Sequence, residues 1–188
     1  MKNLPSVYAD LQAKSEEIGF DMPSDVHAGS LLKTLVSSKP GGNFLELGTG
    51  IGLSLAWMLE GMDSDSKVIS IDNDEELIEI AKDFFERETR LELICEDGAD
   101  WLSNYSGEAF DLIFADAWPG KYSLLDRTLS LLKLGGFYVI DDMSKQPNWP
   151  EGHDLNAVEL VKILEAKEDL TITKMDWSTG IIVAVKTK

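Results

Sequence analysis

Along most of the chain, short unbroken apolar runs alternate with longer stretches in which apolar residues recur every three or four positions. The runs cover 43–47, 67–71, 91–95, 110–115, 137–140, 170–175 and 181–186. Their near-continuous Val, Ile, Leu and Phe content predicts strands covered on both faces. The stretches between them, 52–59, 74–86, 122–132 and 154–167, predict helices. The second opens on acidic residues, which suit the positive end of a helix dipole. Two more helical patterns, 7–18 and 24–36, precede the first strand.

Repeated strand–helix alternation predicts an α/β fold with a doubly wound, mostly parallel sheet. The last two strands have only residues 176–180 between them. A parallel crossover needs a dozen residues or more, so this pair is expected to be antiparallel. The expectation is a Rossmann-like, seven-stranded, mostly parallel sheet with an antiparallel C-terminal strand and extra N-terminal helices. No repeat or linker-like tract divides the sequence, so 1–188 reads as a single domain with residues 1–42 as its helical cap.

Composition narrows the partners. Lys and Arg total 17 against 34 for Asp and Glu, a formal net charge of −17. A protein that binds nucleic acid gains affinity by neutralising phosphates, and this balance argues against it. Cys95 has no partner for an internal disulfide and reads as a small strand residue in a reducing compartment. No apolar stretch approaches the ~20 residues of a membrane span, and the first five residues lack the apolar core of a signal peptide. A cytoplasmic protein without a membrane partner is expected.

Ligands of open α/β sheets bind beyond the C-terminal ends of the strands. The first such turn reads Glu46-Leu47-Gly48-Thr49-Gly50-Ile51-Gly52-Leu53-Ser54. Its G-x-G-x-G spacing, led by an acid, departs from the G-x-G-x-x-G that cradles a pyrophosphate. S-adenosyl-L-methionine has no phosphate and carries a sulfonium and an ammonium, which a carboxylate such as Glu46 or Asp116 favours. Taken alone, the glycines could simply make a strand–helix turn. The second run, however, ends in Asp72-Asn73, about 20 residues on, where an acid can accept ribose hydroxyls. The third is followed by Asp97-Gly98-Ala99, an acid and small residues able to meet an adenine. Any one of these acids could be a helix cap; three in consecutive register are harder to dismiss.

With these turns the sequence resembles the class I S-adenosylmethionine-dependent methyltransferases over nearly its whole length. The resemblance implies that the 48–52 loop contacts the methionine part of the cofactor, Asp72 and Asn73 the ribose, and Asp97, Gly98 and Ala99 the adenine. The fourth strand then leads into Asp116-Ala117-Trp118-Pro119-Gly120-Lys121-Tyr122, and the fifth ends in Asp141-Asp142. Three carboxylates on one sheet edge repel one another unless they bind a cation or hold protons.

These segments look like the cation-dependent O-methyltransferases typified by catechol and caffeoyl-CoA O-methyltransferases. That resemblance implies that Asp116, Asp141 and Asp142 hold a divalent cation, Mg or Ca, which lowers the pKa of an acceptor hydroxyl. It also implies that Ser54 binds the methionine carboxylate and that Trp118 lies beside the cofactor. Two departures stand out. Asp142 stands where relatives usually have Asn, and Pro119 stands where relatives have a general-base Lys, with Lys121 two positions later. Asp116 and Lys121 are therefore the catalytic candidates.

The function expected is transfer of a methyl group to a small-molecule acceptor, with a homodimer left open. The rivals are a tRNA methyltransferase and a cofactor-binding protein without transferase activity. His153 and Trp149 fall in a loop, 144–154, that could cover an acceptor. His27 reads as a capping or packing residue, and Trp57 and Trp101 as core.

Overall fold

The computed structural model describes residues 4–146 and 149–188. Two N-terminal helices, α1 (Tyr8–Ile18) and α2 (Val26–Ser37), precede the alternating core. The core runs β1 (Asn43–Leu47), α3 (Leu53–Gly61), β2 (Lys67–Asp72), α4 (Glu75–Phe85), β3 (Leu91–Cys95), α5 (Gly98–Asn104) and β4 (Phe110–Ala115). It continues through α6 (Leu125–Ser130), β5 (Leu132–Ile140), α7 (His153–Glu165), β6 (Leu170–Met175) and β7 (Ile181–Lys186). The seven strands form one sheet in the order β3-β2-β1-β4-β5-β7-β6. Neighbours from β3 to β5 pair in parallel, and β7 is antiparallel to both β5 and β6. The α/β, mostly parallel, doubly wound sheet expected from the alternation is what forms.

Strand order reverses between β1 and β4, which opens a crevice at their C-terminal ends. Two apolar clusters fill the two faces of the sheet. One joins α1, α2 and α3, with Trp57, Met58 and Leu32 fully enclosed, to Phe44 and Phe114. The other places Trp101, Leu129 and Leu160 against Leu45, Ile113 and Tyr138. Trp57 and Trp101 are thus core, as expected.

Complete coverage holds only for the inner strands. β1 and β4 are buried almost throughout, whereas β3 and β6 alternate between partly buried and exposed residues. Both lie at sheet edges, where helices cover less, and Cys95 at the end of β3 is accordingly exposed.

Three local differences have identifiable causes. α5 follows the capping acid Asp97, which accepts the N–H groups of Ala99 (2.8 Å) and Asp100 (3.1 Å); seven residues are too few for a periodic signal. α6 is shorter than 122–132 because Leu124 takes a left-handed conformation (φ 56°) and residues 119–123 form a tight turn. β5 begins five residues earlier than residue 137, since Leu132 pairs with Phe110 across a register shift. Among the described residues, no helix is long and apolar enough to cross a membrane.

Candidate active site

The loop after β1 needs glycine for two different reasons. Gly48 has φ 99°, and a Cβ there would lie 2.9 Å from the Asp116 carbonyl oxygen, so β1 and β4 converge only with glycine between them. Gly52 has φ 95°, and its Cβ would meet the Phe85 ring at 2.5 Å. Gly52 therefore packs against α4 and opens α3 as its N-cap, away from the cavity walls, although the resemblance assigns it to the cofactor loop.

Behind the loop, Glu46 is wholly enclosed. Its carboxyl accepts the hydroxyls of Ser54 (2.6 Å) and Ser70, and Ser70 in turn bonds Thr49 at 2.6 Å. Burial raises the Glu46 pKa to about 7 against the pull of both serines. With no exposed surface, Glu46 braces the loop through these two serines. Ser70 is a member of this relay that the motif reading missed. Its signal was present, since one polar residue inside an otherwise apolar β2 must find a partner.

At the end of β2, Asp72 accepts the Gly50 N–H (2.8 Å) with one oxygen and the Asp74 N–H (3.0 Å) with the other. The acid thereby holds the glycine loop and still faces two adjoining cavities. One, of about 410 Å³, is walled by Gly48, Asp72, Asn73, Asp97, Gly98 and Ala99 on one side and by Trp118, Pro119 and Ser123 on the other. A smaller one, about 210 Å³, is bordered by Thr49, Gly50, Ser54, Asp72, Asn73 and Asp116. Phe20, Met22 and Ser24, in the segment between α1 and α2, close this second cavity. Ser24 opens the helical pattern 24–36, but no motif marked Phe20 or Met22. They arrive through the packing of the N-terminal helices.

A third cavity of about 350 Å³ lies across the ends of β4 and β5. Asp116, Lys121, Asp142, Trp118, Tyr122 and His153 contribute to its wall. Asp116 borders both this cavity and the second, and Trp118 both this and the first. Trp118 is half exposed, with its ring 4.9 Å from Tyr122 and 5.9 Å from His153. His153 also meets Tyr122 at 5.2 Å and Trp149 at 4.5 Å, which makes an aromatic rim. The 144–154 loop includes residues 147 and 148, which lie outside the described residues, as do residues 1–3. His27 packs on Trp177 at 5.0 Å, away from this rim.

The acids at this end are differently served. Asp141 accepts the Asp142 N–H (2.8 Å) and the Thr179 hydroxyl through the same Oδ1. Asp116 accepts the Ser24 hydroxyl at 3.3 Å. Asp142 stands in the left-handed region, φ 52°. Burial first, then the Asp141 charge, holds the Asp116 carboxyl well above its usual range, with Lys121 opposing. Burial likewise raises Asp141 to about 6 and pushes Asp142 upward. Lys121 is 5% exposed, and its ammonium donates to the Asp141 carbonyl oxygen at 2.6 Å. Burial lowers its pKa, while Asp116, Asp142 and Asp141 pull it back up.

The resemblance implies a divalent cation on Asp116, Asp141 and Asp142, whose carboxyls lie close enough to act on one another at the ends of β4 and β5. Among the described residues, no three His, Cys, Asp or Glu side chains are grouped so as to hold a metal ion. One oxygen of Asp141 and one of Asp116 are already engaged by donors of the chain itself.

The O-methyltransferase family profile matches residues 6–186. A provisionally named O-methyltransferase of Mycobacterium leprae is 28% identical over 191 residues, covering 96% of this chain and 85% of its own length. Among solved structures, the Bacillus cereus O-methyltransferase in complex with SAH superimposes with a TM-score of 0.86 at 22% identity, covering 100% of this chain and 93% of the other. TomG of Streptomyces achromogenes, an O-methyltransferase of tomaymycin synthesis solved with SAM, gives 0.85 at 20% identity, covering 99% and 91%. At these identities the two structures speak for the fold.

Proposed function

The chain belongs to the O-methyltransferase family, and from that premise we propose that it transfers the methyl group of S-adenosylmethionine to a hydroxyl oxygen of a small acceptor. The observation that carries the reading is the meeting of three cavities at Asp116 and Trp118. Two suit a two-part cofactor, and the third suits an acceptor set against the reacting end.

The residues fit that cofactor chemically. The first cavity pairs the Asp72 carboxylate with the small residues Gly98 and Ala99, which suits a ribose and a flat adenine. Pro119 lies 3.2 Å from where a Cβ on Gly98 would stand, so it narrows that cavity to a slot. The second offers the main-chain groups of the glycine loop and the Asp72 and Asp116 carboxyls, which suit the methionine carboxylate and ammonium respectively. When bound, S-adenosylmethionine supplies a methyl carbon to the acceptor oxygen's lone pair and keeps the broken C–S bond's electron pair on sulfur. The acceptor's proton leaves to Asp142, whose buried carboxyl has a raised affinity for it and borders the third cavity. Trp118, Tyr122 and His153 form a rim suited to a flat aromatic acceptor.

The test is calorimetry with S-adenosylhomocysteine, followed by transfer of labelled methyl groups to a panel of catechols and simple phenols. Cofactor binding with turnover on a hydroxylated member supports the reading. Cofactor binding without turnover on any hydroxyl acceptor favours the non-transferase rival, and no cofactor binding removes both.

A further inference from the structure

We propose that Lys121 is the resident cation of the transfer site, a tethered ammonium that does the work expected of a divalent metal, so that the protein takes up none there. The inference rests on the methyl-transfer reading above.

Three observations carry it. The first is anchorage. Lys121 is almost fully buried and sits in a turn closed by the Gly120 N–H on the Ser123 carbonyl (2.8 Å) and by the Tyr138 hydroxyl on the Gly120 carbonyl (2.7 Å). Its ammonium donates to the Asp141 carbonyl at 2.6 Å and lies 5.2 Å from the Tyr122 ring centroid. A lysine has three donors, and this bond uses one. The others remain for an oxygen in the cavity that Lys121 itself helps to wall.

The second is charge. The Asp116, Asp142 and Asp141 carboxylates all lie close enough to act on Lys121 electrostatically. A buried cation persists only with such compensation, and buried carboxylates need a cation in return. A dication entering the same cluster would confront an ammonium fixed in place by its turn. One cation or the other can occupy the cluster at low cost, and the chain carries its own.

The third is ligand geometry. The Asp141 Oδ1 already accepts two donors, the Asp142 N–H and the Thr179 hydroxyl, and an Asp116 oxygen accepts Ser24. These bonds turn one oxygen of Asp141 and one of Asp116 toward donors of the chain itself. Lys121 then stabilises the negative charge that builds on the acceptor oxygen as its proton leaves, the role that a fixed positive group fills in a dry site. Pro119, which cannot serve as a base, fits this arrangement, because the acceptor's proton goes to the Asp142 carboxyl that borders the same cavity.

The test is a Mn2+ titration followed by electron paramagnetic resonance on the whole chain saturated with S-adenosylhomocysteine, in the wild type, Lys121→Met, Lys121→Arg and Asp141→Asn. The wild type and Lys121→Arg are expected to hold no ion up to about 1 mM, the weak end for hard cations in proteins. Lys121→Met, freed of its ammonium, is expected to bind Mn2+ at least about tenfold more tightly. Wild-type Mn2+ binding that Asp141→Asn abolishes overturns the proposal, and so does a folded Lys121→Met that gains no affinity. Cofactor calorimetry on the same samples reports folding. If Lys121→Met does not fold, Lys121→Gln takes its place under the same criteria. Failure of the wild type to bind S-adenosylhomocysteine is a separate outcome and counts against the cofactor reading instead.

Discussion

At one side of the crevice, along β1 and β2, each acid is braced by short-range donors. Glu46 holds two serine hydroxyls, and Asp72 holds two main-chain N–H groups that shape the glycine loop. At the other side, beyond β4 and β5, three acids and a lysine share a partly dry cluster in which the lysine bonds a carbonyl oxygen. The first arrangement makes a rigid receptacle whose charges are already answered. The second keeps an ammonium with donors to spare beside the cavity, held by neighbouring acids rather than spent on them. Rigidity suits an invariant cofactor, and a fixed ammonium suits the place where charge develops in a transition state.

The largest effect that would break this contrast is at Lys121. Lys121→Met is expected to lower turnover by about 10²–10³-fold, the scale of removing one preorganised stabiliser. S-adenosylhomocysteine affinity should stay nearly constant, because Lys121 does not border the two cofactor cavities. Single-turnover methyl transfer beside calorimetry checks both halves. An equal loss in both would make the two sides one structural unit.

Next is the pH response of the braced side. The Glu46 pKa is raised from 4.5 to about 7, so the folded state binds more protons than the unfolded state between these values. Stability therefore falls as pH rises through that window, by about 3 kcal/mol from this group. Asp141, raised to about 6, adds in the same direction. Urea unfolding at pH 4.5 and pH 7.5 is expected to show the decline, and Glu46→Gln to flatten it. An unchanged slope in Glu46→Gln would mean that the brace stays ionised.

Asp72→Ala is expected to weaken S-adenosylhomocysteine binding by about 1.5–3 kcal/mol, the scale of hydrogen bonds to a charged group. Part of that loss would come through the freed Gly50 N–H. Calorimetry reads it, and unchanged affinity would remove Asp72 from the cofactor site. The smallest expected effect is none at all. With a net charge of −17, tRNA should not be retained on a filter at physiological salt. Micromolar retention would favour the nucleic-acid rival.

Much of this was legible in the residue order. Apolar runs marked all seven strands, and the five-residue link before Ile181 already required an antiparallel end. Gly48, Asp72 and Asp97 stood out because strand-end turns need those residue types. Gly52 looked like its neighbours, yet a Phe85 ring more than thirty residues away dictates it. Convergence of strand ends placed Asp116, Asp141 and Asp142 together and the resemblance made them a ligand set, while their hydrogen bonds depend on Ser24, Thr179 and the turn carrying Lys121.

The sequence by itself determined the α/β alternation, the position of the crevice and the acids at its edge, because periodicity and turn chemistry act over a few residues. Tertiary structure alone decided which acids are braced, which share a lysine, and that Phe20, Met22 and Ser24 close a cavity opened by β1. Those outcomes depend on burial and on donors brought together from 20 to more than 90 positions apart, as Ser24 meets Asp116 and Lys121 meets Asp141. A pattern read along the chain carries no distance across it.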